Sequence, residues 1–490
     1  MLLEALTIVM QPDVLLTIFL AGCFGMFVGA IPGLTATMAT ALLVPVTFFM
    51  DPVPAIASIV SATGMAIFAG DISGTLLRMP GTPASAAYVG DAYRMSQAGR
   101  ANEALGACLF FSAFGGILGT IALSLIAPQL AEIALKFSSF EYFWLVLLGL
   151  SSAVFVSSGS PLKGMVSLFI GLAASLVGQN NPTGAARYTF ESVELLAGIQ
   201  FIPAMIGLFA VSEVMRSYTK VPSEARTPPV RGPIFRPQFA NLRRYPKQAL
   251  RGATVGTMIG ALPGAGADIA AWVSYAISKK FSRQPEKFGT GHAEGLVEAG
   301  SSNNGAVSGA WIPALVFGIP GDTITAIVIG VMFIKGLNPG PMIFIQQPEM
   351  VYAVFMVFVL ANLLMLPMGW VAIHATGRLL SAPQRILMPL ILIFGVVGAF
   401  AINNSMAGII IMLAFGVLGF LMEENDIPLA PAILGLVLGP MIEKYFVTSM
   451  IKADGNLLAF FERPIAAGLG IATLLLCLAP LVRWLRRRRA

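Results

Sequence analysis

Gly25-Met26-Phe27-Val28-Gly29-Ala30-Ile31-Pro32-Gly33-Leu34-Thr35 sits inside an uncharged run that extends from residue 14 to residue 50. As one continuous helix, those 37 residues would reach about 55 Å at 1.5 Å per residue. A bilayer's hydrocarbon core is only about 30 Å thick. The run must fold back, and Pro32-Gly33 marks the bend. The rest of the chain agrees. Of its 490 residues, 57% are hydrophobic and 11% charged, where a soluble domain carries about 25% charged residues. So little charge cannot cover a water-facing surface, which excludes a cytosolic enzyme, a secreted module and a disordered chain. The chain reads as an all-α polytopic membrane protein, with room for about ten to twelve spans of roughly 20 residues each.

The opening pattern recurs. Gly25, Gly29, Ala30, Ile31, Pro32, Gly33 has the spacing of Gly256, Gly260, Ala261, Leu262, Pro263, Gly264. Met79-Pro80-Gly81-Thr82 matches Ile319-Pro320-Gly321-Asp322, and Pro203-Ala204 with Gly207-Leu208 matches Pro431-Ala432 with Gly435-Leu436. The three matches keep their order at offsets of 231, 240 and 228 residues, the signature of an internal duplication. Between the halves, residues 216–251 hold nine Lys or Arg and six Pro, which predicts an extended, basic, water-exposed linker. The chain thus divides into a first membrane repeat (1–215), the linker (216–251), a second repeat (252–445) and a final helix (464–490) ending in Arg486-Arg487-Arg488-Arg489.

Charge sets the orientation. The Pro263 segment (252–278) is flanked by the basic linker and by Lys279, Lys280, Arg283 and Lys287, so both its ends belong in the cytoplasm. Its arms, about 11 and 14 residues or roughly 17–21 Å, are too short to cross, which predicts a re-entrant hairpin. No Lys or Arg precedes Arg78, so the hairpin over 14–50 opens to the outside. The two repeats are then inverted, and the Arg-rich tail lies in the cytoplasm against anionic lipid. Leu20-Ala21-Gly22-Cys23 resembles a lipoprotein cleavage box, but without a positive n-region no cleaved signal is expected.

Non-helical backbone survives at membrane depth only where protein or a water-filled cavity satisfies it, so matched breaks in inverted halves point to a binding site. Four such turns stand out: Pro32-Gly33-Leu34-Thr35, Pro80-Gly81-Thr82-Pro83, Pro263-Gly264-Ala265-Gly266 and Pro320-Gly321-Asp322-Thr323. Free amides and helix N-termini at such turns suit a carboxylate; the bland alternative is helix kinks needed for packing. Asp71, Asp268 and Asp322 are ionisable groups in apolar surroundings, which invites proton carriage or cation coordination. For Asp268 and Asp322, helix capping is an equal alternative. Asn303-Asn304 offers amide ligands to a cation or interhelical hydrogen bonds, and for Asn403-Asn404 the packing role is preferred. Lys163, Lys335 and Arg78 are anion partners or, more often, groups that snorkel to a headgroup.

No P-loop, His-Glu-x-x-His, Ser/His/Asp set or dinucleotide fingerprint occurs. Two histidines and three apolar cysteines make neither a metal centre nor a disulfide framework. The chain reads as a carrier, not an enzyme, with no cofactor and no nucleic-acid partner, energised by an ion gradient or by another chain.

At these same residues the sequence resembles the large membrane subunit of the tripartite tricarboxylate transporter family. The resemblance covers nearly the whole chain. Its most specific stretches are Gly29 to Leu34, Met79 to Ala87 with Asp91 and Gly99-Arg100, Gly260 to Asp268, Asn303-Asn304, Ile312-Pro313, Gly318 to Gly321, and Gly336 to Pro341. It implies a secondary transporter for organic acid anions in a Gram-negative inner membrane, driven by H⁺ or Na⁺. It also implies a small four-helix-type membrane subunit and a periplasmic substrate-binding protein as partners. Two positions depart from the family's pattern. Gly300, with Glu298 nearby, stands where a carboxylate is common, and Asp322 stands where Ser is usual. An elevator-like motion follows by analogy. The rival readings are the permease of an ATP-driven importer, which usually has fewer spans and no hairpin pair, and an intramembrane enzyme, for which no clustered acid or base is present.

Overall fold

In the computed structural model, the described residues are 2–156, 160–179, 181–219, 230, 232–264, 266–376, 380, 384–402 and 404–489. Ala265, Asn403 and much of the linker lie outside them. The first half runs α1 (Leu2–Val9), α2 (Pro12–Ala30), α3 (Ala36–Thr47), α4 (Pro52–Leu77), α5 (Val89–Gln97) and α6 (Ala101–Ala134). It continues with α7 (Ser139–Val156), α8 (Pro161–Ser175) and α9 (Phe201–Ile206), which passes through a π turn into α10 (Ser212–Thr219). The second half runs α11 (Arg236–Arg244), α12 (Pro246–Gly260), α13 (Gly266–Phe281), α14 (Ala293–Phe317), α15 (Thr323–Ile334), α16 (Ile343–Gln346) and α17 (Pro348–His374). After it come α18 (Gln384–Ala401), α19 (Met406–Glu424), α20 (Leu429–Lys452) and α21 (Pro464–Arg489). No strand occurs among the described residues. Among the described residues, six helices (α2, α4, α6, α17, α19 and α20) are long and apolar enough to cross a membrane, and six shorter apolar helices accompany them.

The uncharged run bends where Pro32-Gly33 demanded, between α2 and α3. The break at Pro263-Gly264 separates α12 from α13, whose arms are 15 and 16 residues, somewhat longer than the spacing of charges suggested. The break at Pro320-Gly321 separates α14 from α15. The basic segment is not extended throughout. Residues 236–244 are helical because Gln238, buried, donates to the Glu103 and Ile234 carbonyls while Asn102 donates to the Pro233 carbonyl. These bonds tie the segment to the start of α6.

The two halves make the same contacts. A Cβ on Gly25 or Gly29 would lie 2.6 or 2.7 Å from the Cα of Ala62 or Ala66 on α4. A Cβ on Gly256 or Gly260 would lie 2.7 or 2.8 Å from the Cα of Ser302 or Ala306 on α14. Glycine is required at all four, because helices in a bilayer gain by close approach rather than by hydrophobic exclusion. Both α4 and α14 then end in a left-handed residue, Arg78 and Gly318, two positions before Pro-Gly. Helices α7 and α18 are each 18 residues long and lie 245 positions apart, as do the starts of α8 and α19.

Contacts sort the helices into two bodies. One holds α1–α6 with α11–α17, where α6 packs on α14 and α17 packs on α4. The other holds α7–α10 with α18–α21, where α8 packs on α20 and α19 packs on α9 and the π turn. Each body therefore draws helices from both ends of the chain, six and seven in the first and four and four in the second, and the main contacts between bodies run through α3, α15 and the hairpin tips.

Within the first body, Arg251 on α12 reaches Glu298 on α14 with two hydrogen bonds of 2.6 Å. The Glu298 side chain is fully buried, whereas Arg251 is one-third exposed. Arg251→Leu would leave a buried carboxylate unpaired. The expected cost is about 2–3 kcal/mol, below the roughly 3–5 kcal/mol of a fully buried pair because Arg251 is partly screened by solvent. A thermal melt of the purified variant checks it, and the wild-type midpoint would contradict it.

Candidate functional site

Each Pro-Gly turn leads into a new helix, and the first four amides of a helix have no partner inside it. The local bonding of each turn follows from its residues. Thr35 caps α3, its Oγ1 accepting from the Met38 amide at 3.2 Å. Asp322 caps α15: its Oδ1 accepts from the Thr325 amide at 2.7 Å while the Asp322 amide donates to the Thr325 hydroxyl at 2.8 Å. Thr82 and Ser85 make the matching reciprocal pair at 3.2 and 3.3 Å. The amides of Gly81 and Gly264 are already committed, to the Gly70 carbonyl at 3.1 Å and the Gly321 carbonyl at 2.7 Å. The turns are thus locked by their own backbone, and what they present forward is the helix N-termini that follow.

Three of those N-termini meet at one cavity of about 90 Å³. From the first turn, Thr35, Ala36 and Thr37 line it. From the second come Thr82 and Pro83, and from the third Gly264, Gly266, Ala267 and Asp268. From the fourth come Asp322, Thr323 and Ile324, and the second body adds Ala430 and Leu434. The first hairpin touches the start of α15 across it, Thr37 Oγ1 lying 3.2 Å from Thr323 Oγ1. Among the described residues no Lys or Arg lines the cavity, and two carboxylates do. Asp268 Oδ1 accepts from the Ala84 amide at 3.1 Å, which ties the second hairpin to the turn after α4.

Other candidate residues stand elsewhere. Pro32, Gly33, Leu34, Pro80, Gly81, Pro263, Pro320 and Gly321 shape the turns without lining the cavity. Gly33 faces Glu213 on α10, whose Oε1 would lie 3.1 Å from an added Cβ. Asp71 and Asn303 form a separate buried group joined by Tyr88, which donates to Asp71 at 2.8 Å and accepts from Asn303 at 3.1 Å. Tyr88 carries no sequence signal of its own and is found only through this contact. Asn304 lies in a third group with Asn362. Lys163 and Lys335 bond to backbone carbonyls of Asn425 and Phe48, both at 2.8 Å, and Arg78 lies over the Tyr93 ring. None of the three reaches the cavity.

Residues 15–434, which include every one of these turns, match the tripartite tricarboxylate transporter TctA family. The chain belongs to the TctA family. A relative from Agrobacterium vitis, described as an uncharacterized 52.8 kDa protein in the TAR-I ttuC' 3'region, is 34% identical over 95% of this chain and 93% of its own length. A second from the same organism, an uncharacterized protein in the TAR-II ttuC' 3'region, is 34% identical over 46% of this chain and 96% of its own length. No solved structure matches. The family that the chain belongs to is a transporter family.

Proposed function

We propose that the chain is the translocating subunit of a binding-protein-dependent importer that carries an organic acid anion, a di- or tricarboxylate, together with H⁺ or Na⁺ across a Gram-negative inner membrane. A small membrane subunit and a periplasmic binding protein complete the system. The observation that carries this reading is the lining of the 90 Å³ cavity: three helix N-termini, hydroxyls from Thr35, Thr37, Thr82 and Thr323, two carboxylates and no basic side chain. Helix N-termini attract a carboxylate. Asp268 and Asp322 repel it unless a cation or protons arrive with it. Such a site favours anion and cation bound together over either alone, which is the thermodynamic requirement for symport.

Asp322 adds a negative charge where Ser is usual, so it sets this chain's demand for positive charge. Asp322→Ser keeps a good cap on α15. Its expected effect is a half-saturating cation concentration for uptake displaced at least about tenfold, the effect of roughly 1.4 kcal/mol of lost attraction. Uptake measured against Na⁺ and against pH checks this, and an unchanged dependence on both would remove Asp322 from the coupling role.

The two-body architecture supports an elevator-like motion of inverted repeats. In the second half the hairpin tip meets the second body: Ser152 on α7 donates to the Pro263 carbonyl, and a Cβ on Gly264 would lie 2.6 Å from the Ala153 Cα. The matching position on α18 is Gly398, 245 residues on. There the first hairpin is in contact not at its tip but at Pro45, whose Cβ would lie 2.6 Å from a Cβ on Gly398. Pro45 is 12 residues beyond Gly33, about 18 Å along a helix. Exchanging the two arrangements slides the first body by about that distance. With the basic linker in the cytoplasm, both tips lie toward the cytoplasmic ends of the second body's helices, so this is the inward-facing member of the pair.

Uptake into proteoliposomes tests the function. The binding protein is included, a panel of di- and tricarboxylates is offered, and a Na⁺ or H⁺ gradient is imposed without ATP. Accumulation that collapses with an ionophore is expected. Uptake that needs ATP and ignores the gradient would overturn the reading.

A further inference from the structure

The second body is built from matching helices, but one connection breaks the match. Pro203 lies 42 residues after the start of α8, whereas the matching Pro431 lies 25 residues after the start of α19. The surplus falls between α8 and α9, where residues 176–200 stand against residues 425–428 between α19 and α20. Connections between packed helices usually take about 2–8 residues, so the duplicated fold closes without the surplus. Contacts place the two connections at opposite faces. Lys163, near the start of α8, donates to the Asn425 carbonyl at 2.8 Å, and Arg216, where α10 runs into the basic linker, lies 3.1 Å from Glu423. The short connection therefore shares a face with the linker. With the linker in the cytoplasm, the long connection is on the outside.

The long connection is a fixed structure. Gly178 and Arg187 exchange backbone hydrogen bonds at 2.9 and 3.0 Å, and the Gln179 amide donates to the Leu196 carbonyl at 2.9 Å. The Arg187 guanidinium donates to Glu443 on α20 at 2.7 Å. Tyr188, Phe190 and Glu191 then have left-handed backbone, at φ +51°, +50° and +64°, which is strained for residues that carry a Cβ. Tyr188 is 62% exposed, Phe190 85% and Val193 78%. Strained backbone thus holds apolar side chains out of the core.

We infer that this loop is a docking element for a soluble protein on the outer side, with Tyr188, Phe190 and Val193 entering an apolar pocket on the partner. The inference rests on the reading of the chain as a binding-protein-dependent carrier, which makes the periplasmic binding protein that partner. Glu191 and Glu194, both exposed, flank the apolar side chains. They form the acidic half of a polar rim whose other half is Lys or Arg on the partner. A lipid surface fits worse, because sinking Phe190 and Val193 into it would drag the carboxylate of each following residue toward hydrocarbon. The loop also belongs to the second body, so a partner held there stays in place while the first body slides.

Docking is measured on the full chain reconstituted with the small membrane subunit, the purified binding protein being titrated in. Phe190→Ser with Val193→Ser is expected to leave Tm and the uptake rate at saturating binding protein unchanged, and to raise its half-saturating concentration at least about tenfold. Glu191→Lys with Glu194→Lys should raise it too, and more at low salt than at high. If the serine pair does not fold, the lysine pair alone decides by its direction. A fluorophore on Ala186→Cys, an exposed position of the same loop, in a chain lacking the three native cysteines, should be shielded from iodide by the binding protein and not by lipid alone. Wild-type half-saturation in the serine pair, tighter docking in the lysine pair, or shielding by lipid alone (a membrane anchor) overturns the docking surface. Gradient-driven uptake that needs the binding protein supports the carrier whichever way these variants behave, so the two failures are distinguishable.

Discussion

Gly264→Ala is expected to bring uptake close to background while the protein still inserts into the membrane. Three features act on one residue. Gly264 has φ +84°, and a side chain there costs roughly 1–2 kcal/mol of backbone strain. An added Cβ would stand 2.6 Å from both the amide nitrogen and the Cα of Ala153, backbone atoms that cannot swing aside. The Gly264 amide also holds the Gly321 carbonyl at 2.7 Å, one residue before the Asp322 cap. The methyl therefore pushes the second hairpin off α7 and drags the turn before α15 with it, opening the cavity. Strain alone corresponds to a factor of about 5–30, and the steric term adds to it. Gly33→Ala has the same sign of φ, +94°, but meets only the Glu213 carboxylate at 3.1 Å, a side chain that can rotate. Its loss should be smaller, whereas Gly33→Leu and Gly264→Leu should both abolish uptake. Gly90→Ala, with nothing within 4 Å of an added Cβ, is the matched control. Initial uptake rates normalised to membrane content decide it, and normal transport by Gly264→Leu would remove the turn from the site.

The second large effect is a disulfide lock. Replacing Pro45 and Gly398 with cysteine, in a background lacking Cys23, Cys108 and Cys477, places two thiols where the bodies already touch. Oxidation should stop transport, and reduction should restore it. The paired test is Ala153→Cys with Ala276→Cys. Ala276 is 12 residues beyond Gly264, the place that Pro45 occupies relative to Gly33, and it is exposed. Ala153 is covered by the hairpin tip in this state. The thiols should pair only after a slide of about 18 Å, 12 residues at the helical rise, since a disulfide needs Cβ atoms roughly 3.5–4.5 Å apart. In a chain that keeps Pro45 and Gly398, cross-linking of this second pair by an oxidant during turnover is the expected result. A pair that never forms under turnover would exclude a motion of that register.

Much of this was legible in residue order because a bilayer leaves backbone few options. An uncharged run too long to cross has to bend, and the bends fall at Pro32-Gly33 and Pro263-Gly264. Three matches at nearly constant offset marked the duplication, and in the fold the glycines of α2 and α12 meet α4 and α14 in the same way. The Asn304 group was harder to see, because Asn362 has no motif around it and joins the group only through helix crossing. The linker misled for a related reason. Its charges and prolines suit open chain, yet buried bonds from Gln238 make part of it helical.

Sequence alone determined that the chain is helical, carries membrane-type apolar helices and is broken at Pro-Gly, since composition and spacing act through local rules of backbone satisfaction and span length. Which breaks face one cavity was decided by tertiary structure. So were the separation of Asp268 and Asp322 from the Asp71 and Asn304 groups, and the division into two bodies that each mix helices from both halves. These depend on how helices distant in the chain cross, and close packing at glycines such as Gly25 and Gly256 sets those crossings only once both partners are in place.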